Sequence, residues 1–441
     1  MKKFIVAEIC VIIAIAAGFW IGRITSPFND YAKYYENADK TWSKSQEMNN
    51  PPVTYDEPDK DRLRKVRAAY RAVFENYPDS RWADDALYQL ALLPRTDEEG
   101  FALFRRLIRD YPDSEWADDS MYAIAIATYE IADDLKKTGT LESLTAYYDR
   151  ALALFNQLIA TYPGSVLQED AQFNAAMCYY GRGDVSIALN QLESLKMELR
   201  NSPIIYQILY NIGRINFEQQ DYENARVEFK NVVDVGDPKY APAASFGIAQ
   251  TYFNEGKIEE AQAKYKEADD KPKEAEAKYK EAEAKYKEAV TNYQKVIDLY
   301  PDSQVGQDAH FYIGWAYHML KDYDEAINRL EAAIESYPDN AITTTAKFYI
   351  GQIAEDKKDT DRAIEVYQQF AEDPTHSYDH RLQAQYRIGK IYQENEEMEQ
   401  AIEAYEKLIA DFPEPHQNVA HPSREITENY VQTLKAEHLG E

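Results

Sequence analysis

The residues best able to do chemistry in this 441-residue chain are few and scattered. His376, Asp379 and His380 in "DPTHSYDHR" would share one face of a helix and could hold a divalent metal there. Pro374 starts that stretch as a loop, which removes the shared face. His416 and His421 fall in a polar tail. Cys10 lies in an apolar run and Cys178 in "NAAMCYYG", and neither belongs to a C-x-x-C pair or a disulfide framework. Gly-rich phosphate loops, G-x-S-x-G and H-E-x-x-H are all missing. The sequence therefore implies no enzyme, no metal and no cofactor. A formal net charge of -28 argues against nucleic acid as a partner, because phosphate recognition needs clustered Lys and Arg. It favours partners that are neutral or basic.

The N-terminus carries a targeting signal. Lys2 and Lys3 precede an apolar stretch over residues 4–22, close to the length of a spanning helix. Basic residues first predict an inside N-terminus with the rest of the chain outside. Trp20 and Arg23 would anchor the far interface, while "AIA" at Ala14–Ala16 offers a signal-peptide cleavage site as the rival reading. Glu8 interrupts the apolar run. An ionisable group there either snorkels to the near face or marks an assembly element. The stretch "FIVAEICVIIAIAA" is similar to the start of a type IV pilin, with Glu8 fifth from Phe4, though Lys3 stands where such precursors carry a small residue. Residues 1–24 are thus expected to be a membrane anchor or signal-anchor. Residues 25–58 are expected to be a stalk and Pro-rich linker.

The elements beyond are set by a recurring hexapeptide: "ENYPDS", "RDYPDS", "ATYPGS", "DLYPDS", "ESYPDN" and "ADFPEP". Its prolines recur at intervals mostly a little above thirty-four residues, and apolar residues between them recur at three and four, the helical spacing. In "DAHFYIGWAYHMLKDYDEAINRLEAAIESYPDN" one helix precedes the Lys321–Asp322 pair and a second follows it, ended by Pro338. The hexapeptide reads as a stop, a turn and a cap, with its Asp or Ser capping the next helix. About eight such pairs are expected over residues 59–415. Insertions near 130–145 and 264–290 should lengthen two of them. The second insertion repeats "EAKYKEA" with a Tyr every seven residues, which predicts a protruding helix with Pro272 as a break or kink. Residues 416–441 read as a polar tail or capping helix.

This unit resembles the tetratricopeptide repeat (TPR) family. Gly314, Tyr317, Tyr323, Ala326, Ala333 and Pro338 fall at the family's packing positions, and Gly389, Tyr392, Ala401, Tyr405 and Pro413 match again. The resemblance implies an all-α, TPR-like superhelical solenoid of antiparallel helix pairs, here with an N-terminal membrane helix. "YPDS" and "DALYQLA" are similar to the bacterial envelope branch of the family, whose members serve outer-membrane protein assembly and the Tol-Pal system.

An aromatic follows each proline by some seven to twelve residues, on the first helix of each pair. In the TPR family that helix lines a concave groove. Phe173, Tyr210, Phe246, Phe311, Trp315, Phe348 and Tyr386 are accordingly the candidate peptide-groove residues, with core packing as the alternative reading. The expectation is a non-enzymatic, membrane-anchored scaffold of the bacterial inner membrane, its solenoid periplasmic or extracellular. It would dock other envelope proteins in its groove. Self-association through the 264–293 helix or the N-terminal helix is a further expectation. The alternative is a structural subunit of a filament or large membrane complex, assembled through the N-terminal helix and Glu8.

Overall fold

The computed structural model describes residues 60–93, 97–136, 139–338, 340, 342–412 and 424–438. The expected anchor with Glu8 and Trp20, the stalk, and His416 and His421 lie outside the described residues. Among the described residues, no helix is long and apolar enough to cross a membrane. All the regular structure among them is helical.

A lead helix, α1 (Lys60–Asn76), precedes a series of antiparallel pairs. These are α2 (Ala83–Leu92) with α3 (Asp97–Asp110), α4 (Ala117–Leu135) with α5 (Leu141–Thr161), and α6 (Gln168–Arg182) with α7 (Val185–Glu198). Then come α8 (Ile205–Glu218) with α9 (Tyr222–Val235), α10 (Ala241–Ala268) with α11 (Pro272–Leu299), and α12 (Gln304–Met319) with α13 (Tyr323–Ser336). The last pairs are α14 (Thr343–Lys357) with α15 (Thr360–Glu372) and α16 (Tyr378–Glu394) with α17 (Met398–Asp411). A final helix, α18 (Arg424–His438), sets Val431 and Leu434 against Ala401, Ile402 and Tyr405 of α17. The chain divides into two compact units, Met1–Ile205 and Tyr206–Glu441.

The hexapeptide forms a turn between pairs. In Tyr77–Ser80, Tyr111–Ser114, Tyr162–Ser165, Tyr300–Ser303 and Tyr337–Asn340 the fourth residue donates its N–H to the first residue's carbonyl, at 3.0 to 3.1 Å. Proline at the second position suits such a turn and ends the helix before it. The expected cap is corrected in most copies. Of these serines only Ser303 caps a helix, its Oγ accepting from the Gly306 N–H at 3.0 Å. Ser114 and Ser165 instead accept from the N–H two residues on, at 3.1 Å, before the helix begins.

The turn inside six of the eight pairs, from α6/α7 onward, is a second device. Gly183, Gln220, Asp270, Lys321, Lys358 and Glu396 all stand two residues before the second helix starts, and all have positive φ, from 56° to 95°. The next N–H reaches back to a carbonyl five residues earlier, as Asp322 does to Tyr317 at 3.0 Å and Asp359 to Ala354 at 2.9 Å. The residue reaching back then begins the second helix, and Asp221 and Asp322 cap it with their side chains.

Small residues on each first helix fix how closely the pair packs. A Cβ built on Gly213 would sit 2.7 Å from the Phe229 ring, on Gly314 2.7 Å from Leu330, and on Gly351 and Gly389 2.6 Å from Tyr367 and Tyr405. Each large partner stands sixteen residues after its glycine. Glycine at these crossings lets the backbones approach until the ring fills the space.

The pair α10/α11 breaks the length rule without breaking the register. Both helices have 28 residues, against 14 in α8 and α9. A Cβ on Gly256 would meet the Tyr286 ring at 2.6 Å. That register sets Ala249 opposite Tyr293 and Ala263 opposite Tyr279, each one heptad away. Ala249 and Tyr293 share a core cluster. They are 44 residues apart where the other pairs have 16, so the insertion is 28 residues, two heptads for each helix. A whole number of heptads brings the same faces back together. The single protruding helix expected from the sequence is corrected to a two-helix arm. Pro272 opens the second helix, where its missing N–H costs nothing.

Candidate functional site

The candidate groove aromatics separate by burial. Phe311 is 0% exposed and Phe173 4%, so neither offers a ring face to a ligand. Their assignment to a groove surface is corrected for this reason. Tyr210, Phe246, Trp315, Phe348 and Tyr386 are half-buried. Most of these rings engage the second helix of their own pair. Tyr210 lies 5.9 Å from Phe229, Phe348 5.3 Å from Tyr367 and Tyr386 5.9 Å from Tyr405, always nineteen residues on. Phe246 contacts Tyr293 at 5.5 Å and Tyr312 at 5.1 Å. These rings therefore close pairs and join neighbouring pairs.

Trp315 differs. It projects from α12 between Tyr312, edge-on at 4.7 Å, and Tyr349 of α14, edge-on at 5.7 Å. Its indole N–H has no acceptor among the described residues. Beside it the Tyr349 hydroxyl and the Nδ1 of His318 are 2.6 Å apart, and the His318 Nε2 is 2.8 Å from an Asp356 carboxylate oxygen. With the carboxylate accepting from Nε2–H, the Tyr349 O–H donates to Nδ1. Burial pushes the Tyr349 phenol up to about 12, with the charges of Asp356 and Glu260 adding to it. Glu355, next to Asp356, is also raised, mainly by burial, although Arg387 stands 3.3 Å away. Glu355 and Asp356 thus set two neighbouring acids on α14. Asp356 remains 58% exposed beside this cluster.

Tyr312, His318, Tyr349 and Asp356 were not among the candidates. A signal for two of them exists: "FYIG" occurs at Phe311 and again at Phe348, which places Tyr312 and Tyr349 at one helical position in neighbouring pairs. The arrangement suits holding a polypeptide. Ring faces can take a cationic or apolar side chain, and the exposed Asp356 can pair with Lys or Arg.

The other candidate chemistry dissolves into structure. His376 is buried, its ring stacked 3.9 Å from Phe370 with Nδ1 3.1 Å from that residue's carbonyl. His380 faces Ser377, the cap of α16. Burial holds the Cys178 thiol up at about 12. Among the described residues no group of three or more His, Cys, Asp or Glu is arranged to hold a metal.

The first unit carries a pH-sensitive joint. The Trp116 indole N–H donates to the Asp85 carboxylate, and the indole stacks 4.6 Å from Tyr88. Burial pushes Asp85 up to about 6, and Asp119 likewise. A raised carboxyl binds its proton more tightly when folded, so stability is lost as pH rises from about 4 through about 6. With solvent screening discounted, Asp85 should make the unit about 1 kcal/mol less stable at pH 7.5 than at pH 5. Thermal unfolding followed by tryptophan fluorescence should show this shift. Asp85→Asn should reduce it, and an unchanged pH profile in that variant would exclude Asp85 as the cause.

Comparison with known proteins follows the same lines. Residues 173–241 and 210–275 match a family described as tetratricopeptide repeat, and residues 245–416 match one described as soluble NSF attachment protein, SNAP. Among solved structures, the chain is similar to the C-terminal part of a TPR repeat-containing protein from Cytophaga hutchinsonii. The identity is 17% and the TM-score 0.45, with 66% of this chain and 96% of that one covered. It is also similar to a tetratricopeptide repeat protein from Parabacteroides merdae, at 16% identity and TM-score 0.37, with 70% and 98% covered. A third is YrrB, described as a TPR protein with an unusual peptide-binding site, at 20% identity and TM-score 0.31, with 51% and 93% covered. No curated protein matches the chain.

Proposed function

The chain belongs to the tetratricopeptide repeat family, and from that premise we propose that it is a non-enzymatic docking scaffold whose contact surface centres on Trp315. The observation that carries this is the half-buried Trp315 indole packed against Tyr312 and Tyr349 beside the exposed carboxylate of Asp356. The exposed Asp356 carboxylate and the net charge of -28 favour a partner segment bearing Lys or Arg.

The scaffold is tethered through residues 4–22 to the bacterial inner membrane, with residues 25–58 as spacer and the solenoid on the periplasmic or extracellular side. Its partners are other envelope proteins. The Lys2–Lys3 flank, the apolar stretch and Trp20 support the tether.

The docking reading is tested with a 15-residue peptide of alternating Lys and Leu blocks and its Glu-for-Lys counterpart. The Lys peptide should bind, and Trp315→Ala with Asp356→Asn should weaken it at least about 30-fold, a loss of about 2 kcal/mol. Asp79→Asn with Glu142→Gln removes two exposed charges elsewhere and should leave binding unchanged. Equal weakening by both pairs would mean that only bulk charge is read. Tighter binding of the Glu peptide would overturn the basic-partner reading. The tether is tested by carbonate extraction of native membranes: the full chain should stay with the pellet and a chain lacking residues 1–24 should not.

A further inference from the structure

The arm formed by the distal halves of α10 and α11 has one apolar stripe turned away from its own seam. Successive residues of a helix are 100° apart, so Gly256, Glu260 and Ala263 face α11 while Ile258, Ala261, Tyr265 and Ala268 fall on the opposite side. Ala263 is buried and the Glu260 carboxylate accepts from the Tyr286 O–H at 3.0 Å, which fixes the inner face. Tyr265 is 66% exposed, and a shallow recess runs along Ile258, Ala261, Gln262 and Tyr265.

Two features select the occupant. The first is charge. Residues 257–287 hold nine lysines and nine acids, so the whole net charge of -28 lies outside the arm. The arm's own charges are matched internally: Lys264 with Glu260, Lys278 with Glu259 and Lys280 with Glu276, each at 2.7 Å, and Lys266 with Glu274 at 2.8 Å. Two copies meeting by their acidic bodies repel each other, whereas two arms meet without that penalty. The second feature is shape. Ile258, Ala261 and Tyr265 read large, small, large, nearly symmetric about Ala261. An antiparallel two-fold contact centred there would set each Tyr265 beside the other copy's Ile258, with the small Ala261 pair at the axis. The hairpin already uses a large ring over a small residue inside itself, at Tyr286 and Gly256.

We propose that a second copy of this chain covers the stripe, the two arms packing into an antiparallel four-helix bundle. The interface shares no residue with the Trp315 surface, and neither reading depends on the other.

Sedimentation velocity of the full chain in nonionic detergent tests this. A reversible dimer is expected, and it should tighten about threefold or more from 0.05 to 0.5 M NaCl as repulsion between the bodies is screened. Tyr265→Glu should give a monomer with unchanged circular dichroism. In a Cys10→Ser, Cys178→Ala background, Ala261→Cys should form an intermolecular disulfide under mild oxidation, and Val166→Cys, exposed elsewhere, should not. Three results would overturn the proposal: a monomer at both salt concentrations, a dimer that survives Tyr265→Glu, or equal crosslinking at both positions.

Discussion

Gly351→Val is expected to destabilise the second unit by about 3 kcal/mol, enough to melt the last pairs near physiological temperature. The Cβ alone would lie 2.6 Å from Cε1 and 2.8 Å from Cζ of Tyr367. That ring is fully buried and cannot swing away. The helices must separate, or the ring must leave its rotamer. Tyr367→Ala alone should also be costly, because it empties the crossing. Combined, the two should cost less than their sum, since the valine then has room. Gly164→Ala is the control: nothing stands within 4 Å of its Cβ, and the change should be neutral or stabilising by about 0.5 kcal/mol. Urea unfolding followed by circular dichroism measures all four variants. A loss no larger for Gly351→Val than for Gly164→Ala would show that the crossing can relax.

Changing Gln220, Lys321, Lys358 and Glu396 together to glycine should raise stability by about 2–4 kcal/mol. Their φ values of 61° to 64° put an L side chain in the left-handed region, where the Cβ crowds the following carbonyl oxygen. Glycine removes that strain, offset partly by its greater freedom when unfolded, for a net gain of about 0.5–1 kcal/mol at each site. The four turns sit in four different pairs and share no side-chain partner, so the gains should add. A higher urea midpoint with unchanged slope is the expected reading. No change in midpoint would mean that these side chains repay the strain through contacts of their own.

The helix pairs were legible because their ends are written in covalent terms. Proline after Tyr77, Tyr111, Tyr162, Tyr300 and Tyr337 removes a donor and blocks the next turn wherever it stands. The inner turns were legible only as turns. Lys321, Lys358 and Glu396 advertise no positive φ by type, and the acid after each is the better signal. Phe311 could not be assigned from its spacing, because its burial is decided by Leu330 and its neighbours on the other helix. Trp315 and Phe311 stand four residues apart on one helix, yet one is half-buried and the other sealed. Phe311 sits inside the cluster of Leu330 and Ile350, whereas Trp315 packs against that cluster from outside. The seven-residue tyrosine period announced a helix, but it did not say that a matching series of Ala249, Gly256 and Ala263 would run back along a second helix to receive it.

Because each seven-residue step on one helix of the arm must be answered by seven on the other, the arm's length is quantised. It can be lengthened or shortened in register only in paired steps, fourteen residues at a time, each moving the tip by about 10 Å. A lone heptad gained on one side would leave the next tyrosine without its small partner. The tandem "EAKYKEA" blocks at 276–282 and 283–289 already repeat in that step, so the arm is the part of this molecule whose reach can change without altering the register of its seam.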